Sequence, residues 1–404
     1  MDDQGAVARR RLGARQLIEG AMTKYCELCG RDALEPAYEP DAADSSTVYI
    51  CAHCGLTQSH RGAGAQDANA SFCLHGESAK NLRVKSTLTL LRDHVDLSLP
   101  MSVLDVGAER GAFVREFLSA APRASVTAIE PNERQAWACA FLNRSDVFSK
   151  PIEDVHLPGE HFDVVHSCRT IEYLDSPLSV LSDHWRVLKP GGLLILDSRN
   201  IGAIREEAIV DEWFTSNFRC HFSSVTLSRM LNAAGFGLVE PPDSDDRENI
   251  LIAAVKSDCA GRNISADPLE VHSARALISF YKATRQRNLL ALDAVVAELT
   301  TLAPRGIAIC GSGRLLDSLL RHGGLDRGNF LFFPEAQQEL KSGLHQGAAG
   351  HQQSSLKDAN PGVIVVMSDA HAHEIARIAT RFAPQAQVIH YSELVFRAYD
   401  RLAA

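Results

Sequence analysis

From about residue 100 onward, short apolar runs alternate with longer stretches in which apolar residues recur every three or four positions. Residues 103–106 read as a buried strand, 112–120 as a helix, 125–129 as a strand and 133–142 as a helix. A strand over 162–166 and a helix over 178–188 follow, with Lys189-Pro-Gly-Gly192 breaking the helix before a strand at 193–196. Strands and helices in this order imply a largely parallel sheet covered on both faces. A helix over 226–234, ended by Gly235, a loop at 241–246 and a strand over 250–255 close this region. Residues 266–302 are mostly helical by pattern. A second α/β segment then places strands at 307–310, 330–333, 363–367 and 387–390, like half a Rossmann unit with its own glycine turn, Gly311-Ser-Gly313.

Ahead of the first strand, Leu82, Leu88, Leu90 and Leu91 suggest a helix over 78–95, preceded by a small, polar linker at 61–72. Residues 25–60 hold little apolar material, and residues 1–24, with Arg9, Arg10, Arg11 and Arg15 offset by Asp2 and Asp3, read as a frayed tail or short helix. The expected organisation is a tail (1–24), a metal-held module (25–60), a linker and helix (61–98), a central α/β domain (99–257), a helical connection (258–302) and a carboxyl-terminal Rossmann-like domain (303–404).

Composition narrows this picture only a little. The 404 residues, 45% hydrophobic and 23% charged, suit two or three ordinary globular domains, and no apolar run approaches a membrane span. A formal charge of -9 argues against a nucleic acid as the main partner, because such binding usually needs a basic face. Ten cysteines in a chain this long are too few for a disulfide scaffold, so a reducing cytoplasm is expected.

The cysteine spacing changes the picture more. Cys26-Glu-Leu-Cys29 and Cys51-Ala-His-Cys54 each bend two thiolates toward one point, and two such pairs supply four soft ligands for a tetrahedral zinc ion. A full thiolate set leaves no open position, so this zinc is expected to be structural and to supply the module's folding energy. His53 and His60 need no metal role, and Cys139, Cys168, Cys220, Cys259 and Cys310 read as packing residues.

The loop after the first strand of the central domain carries the other chemistry. Ligands of open parallel sheets sit beyond the strand C-termini, so Asp105 to Gly111 should edge the pocket, with Gly107 and Gly111 letting the backbone approach. Glu130, at the end of the next strand, can accept both hydroxyls of a ribose. The loop reads Asp-x-Gly-x-x-x-Gly and carries Glu109, which repels phosphate and suits an ammonium. Ribose hydroxyls, an ammonium and no phosphate together describe S-adenosylmethionine. Glu153 and Arg169 complete the residues expected to contact it.

Over about residues 99–257 the sequence resembles the class I S-adenosylmethionine methyltransferases. The residues that carry the resemblance are Leu104-Asp-Val-Gly-Ala-Glu-Arg-Gly111, Ala128-Ile-Glu-Pro131, Phe162-Asp-Val-Val165, Thr170-Ile-Glu-Tyr-Leu174 and Arg186-Val-Leu-Lys-Pro-Gly-Gly192. With the amino-terminal cysteine pairs, the second followed by Gly55-Leu56, and the carboxyl-terminal α/β unit, the whole is similar to the deoxysugar C-methyltransferases. That resemblance implies methylation of a nucleotide-linked or otherwise activated sugar, at carbon or oxygen, with the last unit helping to hold the nucleotide, through Arg314 and a displaced acid at Glu335.

Removing an acceptor proton needs a base. The family draws on positions that correspond here to Cys73-Leu-His75, Tyr173 and Asn217-Phe-Arg-Cys-His221, and the usual Glu-His pair is absent from the last. His221, Tyr173 and His75 are therefore the candidates, His221 first because imidazole titrates near neutral pH. Two other readings stand beside this one: an RNA base methyltransferase with a zinc module, and a non-catalytic scaffold that binds cofactor or sugar nucleotide.

Overall fold

The computed structural model describes residues 25–40, 46–61, 77–140, 145–204, 212–215, 217–240, 248–257, 264–311, 314–325, 330–333, 356–367, 377, 381 and 383–403. Contacts divide the chain into two units, Met1–Arg205 with Glu212–Phe280, and Glu206–Asp211 with Tyr281–Ala404.

The first unit opens with strands β1 (Leu34–Tyr38), β2 (Ser46–Cys51) and β3 (Thr57–Arg61), paired antiparallel in that order. The expectation of little apolar material here is corrected: Leu28, Val48, Ile50 and Leu56 are all buried. Ser46-Thr-Val-Tyr-Ile-Cys51 alternates inward and outward along β2, a strand signal overshadowed by the cysteines beside it.

Helix α1 (Glu77–His94) then leads into the central sheet. Its elements in chain order are β4 (Ser102–Val106), α2 (Ala112–Ala120), β5 (Ser125–Ile129), α3 (Glu133–Ala140), β6 (Ser145–Phe148), β7 (Phe162–Cys168), α4 (Pro177–Val187) and β8 (Leu188–Arg199). The two-residue strand β9 (Cys220–His221), α5 (Ser224–Ala233), β10 (Phe236–Glu240) and β11 (Asn249–Lys256) follow. The seven-stranded order is β10-β11-β8-β7-β4-β5-β6. Strands β4 to β8 run parallel, and β11 runs antiparallel to both its neighbours. This is a Rossmann-like class I methyltransferase fold. Strand order reverses between β4 and β7, and a crevice at the C-terminal ends of these strands is where such sheets take ligands.

Alternation along β4 sends Val103 and Asp105 to one face and Leu104 and Val106 to the other. On the first face Val103, Val126 and Val164 pack with Phe113, Val114 and Phe117 of α2 and Leu88 and Leu91 of α1. On the second, Leu104, Val165 and Leu194 pack with Leu181 of α4 and Leu227 and Leu231 of α5. That second cluster also contains Cys26, Leu28, Cys51, Cys54 and Leu56, so the cysteine module shares the core of the central domain. Strand β9 pairs with β3, Thr57 opposite His221, and adds a fourth strand to the module's sheet.

Several boundaries differ from the pattern reading. Helix α4 ends at Val187, and Leu188 is already extended, so Lys189-Pro-Gly-Gly192 belongs to β8 and does not break the helix. The residue before a proline is pushed toward extended backbone, which favours this earlier exit at Lys189. Helix α5 starts at Ser224 because Ser223 and Thr226 form a reciprocal capping box.

Helix α6 (Pro268–Leu302) spans the division between the units, which falls at Phe280/Tyr281. The second unit contains β12 (Ile307–Cys310), α7 (Arg314–Arg321), β13 (Leu331–Phe333), α8 (Leu356–Ala359), β14 (Val363–Val366), β15 (Gln387–His390) and α9 (Tyr391–Ala403). Its four strands are parallel in the order β13-β12-β14-β15. Ile307, Ile309, Val363 and Val365 pack with Leu394 and Ala398 of α9 and Leu292, Val295 and Leu299 of α6. The glycine turn at 312–313 and Glu335 lie outside the described residues, as do residues 1–24, 62–76 and 241–247.

Candidate functional site

The four thiols converge as the spacing predicts. Cys26 Sγ lies 3.5 Å from Cys54 Sγ, Cys29 Sγ lies 3.6 Å from Cys51 Sγ, and all four sulfurs fall within 4.8 Å of one another. A zinc ion with Zn–S bonds of about 2.3 Å sets its four sulfurs roughly 3.8 Å apart, so the cage has the dimensions of a closed tetrahedral site. Each pair sits on a matching turn: Gly30 N donates to Cys26 O (2.8 Å) and Gly55 N to Cys51 O (2.9 Å), with both glycines at positive φ. At Gly55 a side chain is excluded twice, because an added Cβ would also stand 2.5 Å from Glu270 Cγ. The module is anchored by Asp267 N donating to His53 O (2.8 Å), by the His53 Nε2 contact with Ile264 O (3.0 Å) and by Arg229, which donates to Cys54 O (3.3 Å) and pairs with Asp267 (3.2 Å).

Asp105 near the end of β4 and the loop that follows it, with Gly107, Glu109 and Gly111, approach Glu130 at the end of β5. The turn is pinned to β5 by Gly107 N and Ala108 N, both donating to Ile129 O at 2.8 and 3.1 Å. Gly107 has φ +82°, and a Cβ there would lie 2.0 Å from Thr170 Oγ1. Glu109, though not glycine, also adopts a left-handed backbone (φ 47°). That conformation aims its amide at Glu130 Oε2 (2.9 Å), while Asn132 N donates to Glu130 Oε1 (2.9 Å). Glu130 is thus oriented from two sides, with lone pairs remaining for hydroxyl donors. Burial raises its pKa against the opposing pull of the Asn132 and Glu109 amides.

Beneath the loop lies a pairing that the motif reading missed. Asp105 Oδ1 meets His166 Nδ1 at 2.7 Å, both side chains almost fully buried, and the imidazole stacks on Phe113 at 3.7 Å between ring centroids. Period two along β7 puts His166 on the same buried face as Val164, and a histidine on that apolar face was the available signal. Arg169, φ 54°, turns its guanidinium to Asp197 (3.0 Å) and Asn249, so it braces β8 against β11 beside the loop. Glu153 is exposed on a short 3-10 turn after β6.

Of the three proton-transfer candidates, His75 lies outside the described residues. Tyr173 and His221 are brought onto one aromatic group: Phe218 lies 4.8 Å from the Tyr173 ring and 6.3 Å from the His221 ring. His221 Nε2 is 2.7 Å from Ser59 Oγ, and its ring meets Phe214 edge-on at 4.7 Å. Burial, helped by the Arg199 charge, pulls His221 down from 6.5 to about 3. The ground for ranking it first, titration near neutrality, is therefore corrected by its desolvation; the ring is neutral at physiological pH. Burial and the neighbouring Glu172 charge raise the Tyr173 phenol, so its hydroxyl stays protonated and is available as a donor. Glu172 itself is buried, accepts from Arg199 N (3.3 Å) and Ser198 Oγ (3.4 Å), and through its carbonyl from Arg219 N (2.7 Å). It ties the turn after β7 to the end of β8 and the approach to β9.

Residues 81–240 match a family described as a methyltransferase domain. Two curated relatives, the tRNA U34 carboxymethyltransferases of Campylobacter curvus and Nautilia profundicola, are 28% and 27% identical over 125 residues, 30% of this chain and 41% of each relative. The chain therefore spans about two fifths of the length of the relatives it matches. Among solved structures, an S-adenosylmethionine-dependent methyltransferase from Aquifex aeolicus is 18% identical, covering 45% of this chain and all of that one, with a TM-score of 0.36. One from Mesorhizobium loti is 15% identical, covering 41% and 96%, with a TM-score of 0.35. No helix among the described residues is long and apolar enough to cross a membrane.

Proposed function

We propose that this chain, which carries an S-adenosylmethionine-dependent methyltransferase domain over residues 81–240, methylates an activated, nucleotide-linked sugar. The observation that carries the cofactor reading is Glu130, held by the amides of Glu109 and Asn132 at the end of β5 with acceptor capacity to spare. On this reading Glu130 takes the ribose hydroxyls. Gly107 keeps the approach clear, and Asp105, steadied by His166, with Glu109 supplies negative charge for the ammonium. Glu153 and Arg169 border the same pocket, Arg169 by bracing its wall. When bound, S-adenosylmethionine supplies an electrophilic methyl group; the protein's part is to orient it and keep a dry path to the acceptor.

Four thiolates at tetrahedral spacing support a structural zinc in residues 25–60, a part of the core that β9 links to the candidate acceptor side. For the acceptor, the support is the net charge of -9 and the resemblance to deoxysugar methyltransferases. Tyr173 and His221 face the proton-transfer step as a neutral hydroxyl and a neutral imidazole, and His75 remains the third candidate. A second reading, methylation of RNA, is favoured by the names of the two curated relatives. Mass spectrometry after incubation with S-adenosylmethionine and either nucleotide sugars or transfer RNA decides between them. A mass gain of one methyl on a nucleotide sugar supports the first; methylation confined to RNA overturns it.

A further inference from the structure

Strand β8 ends at Arg199, on the same edge of the sheet as the Gly107 loop and the turn after β7. Its guanidinium carbon lies 3.9 Å from the centroid of the Trp213 ring and 4.6 Å from that of Phe218. Contact with aromatic faces suits a guanidinium, which is planar and weakly hydrated, and occupies none of its N–H groups in a hydrogen bond. Three other arginines of this unit are committed: Arg169 to Asp197 and Asn249, Arg219 to Asp175 at 2.7 Å, and Arg229 to Asp267. The Arg199 side chain makes neither a hydrogen bond nor an ion pair among the described residues; its backbone amide donates to Glu172 and its carbonyl accepts from Ser198 Oγ.

A partly buried guanidinium without an acceptor is costly unless something completes it. Glu172 is the neighbouring charge that favours the cation, but it closes no ion pair with the guanidinium among the described residues, its oxygens accepting from Arg199 N and Ser198 Oγ instead. Tyr173 packs on the same Phe218 ring, and its hydroxyl has no hydrogen-bond partner among the described residues. Two donors, one permanently cationic and held by aromatic rings, therefore meet on Phe218 at the edge of the sheet where β7 and β8 end.

We propose that Arg199 is the anion receptor of the acceptor site, taking a phosphate or carboxylate oxyanion on its in-plane N–H groups with the Tyr173 hydroxyl as a second donor. This rests on the methyltransferase reading for the acceptor's identity, but not for the binding of the anion. The rings fix the fork before the ligand arrives, which lowers the entropy lost on binding. A bidentate fork also explains arginine in place of lysine.

The test is calorimetric titration of the full chain with inorganic pyrophosphate and, separately, with succinate, with and without saturating S-adenosylhomocysteine. At least one anion is expected to bind the parent. Arg199→Gln should weaken it at least tenfold, Arg199→Lys at least fivefold, and Tyr173→Phe by a smaller factor, with affinity for S-adenosylhomocysteine unchanged. The preferred anion then identifies a phosphoryl or a carboxylate acceptor. The proposal is overturned if neither anion binds the parent, or if Arg199→Lys binds as the parent does; that variant keeps the stacked cation and decides the matter should Arg199→Gln not fold. Failure of S-adenosylhomocysteine to bind overturns the methyltransferase reading instead, and the anion titration without it still judges Arg199.

Discussion

Replacing Gly107 with alanine should destabilise the first unit by an amount that can be worked out from two contacts. A non-glycine residue held at φ +82° costs about 1–2 kcal/mol. The added Cβ would also stand 2.0 Å from Thr170 Oγ1, which donates to Val106 O and Cys168 O, each at 3.1 Å. Moving that hydroxyl away loses at least about 1 kcal/mol more. The expected total is about 2–4 kcal/mol. All three tryptophans, Trp137, Trp185 and Trp213, lie in the first unit, so urea unfolding followed by tryptophan fluorescence reports this unit alone. The midpoint should fall at an unchanged slope. In Gly107→Ala/Thr170→Ala the nearest remaining contact relaxes to the Thr170 Cβ position at 3.3 Å, and the pair should be about 1 kcal/mol less costly than the sum of its parts. A single-variant loss below about 0.5 kcal/mol, or strict additivity in the pair, would refute the account of this turn.

Other consequences are as direct. Purified protein should carry about one zinc per chain by elemental analysis, and Cys54→Ser should lose it and melt earlier while still binding S-adenosylhomocysteine; metal-free parent protein with an unchanged melting point would contradict the tetrahedral site. His221 is held down from 6.5 to about 3, so the unfolded chain binds a proton between these values that the native one does not. Stability from this group is therefore full above pH 6.5 and falls as the pH drops toward 3, by about 2 kcal/mol at pH 5. His221→Gln should flatten that part of the stability curve, and an unchanged slope would show that the imidazole is not held neutral. For the same reason, replacing His221 should leave no inflection near pH 6.5 to disappear from the rate profile.

How legible these features were depended on how local their causes are. Strands β4, β5, β12 and β15 are short apolar or β-branched runs, and the structure places them where pattern alone did. Strand β6, Ser145-Asp-Val-Phe148, sits at the sheet edge with little to bury, and β10 carries Gly237 at its second position, so neither announced itself. Strand β9 has only two residues and exists because β3 offers it a partner. The site divides in the same way. Glycine positions, Glu130 and the cysteine pairs follow from spacing along the chain. The Asp105–His166 pair joins residues 61 apart, and the Arg199 stack depends on Trp213 and Phe218, which no motif singled out. The low pKa of His221 comes from its burial beside Phe214 and Phe218 and from the Arg199 charge, which a residue type alone does not convey.

The central claim is that Glu130 holds the ribose of S-adenosylmethionine, and calorimetry with S-adenosylhomocysteine tests it most directly. Two hydrogen bonds to a charged acceptor are worth about 1.5–3 kcal/mol each, so Glu130→Ala should weaken binding by at least about a hundredfold. Its zinc content should equal the parent's. The parent's own affinity should also fall as the pH drops through the raised Glu130 pKa, because only the ionised carboxylate accepts both hydroxyls. A parent protein that binds no S-adenosylhomocysteine, or a folded Glu130→Ala variant that binds it as tightly as the parent, would contradict the account.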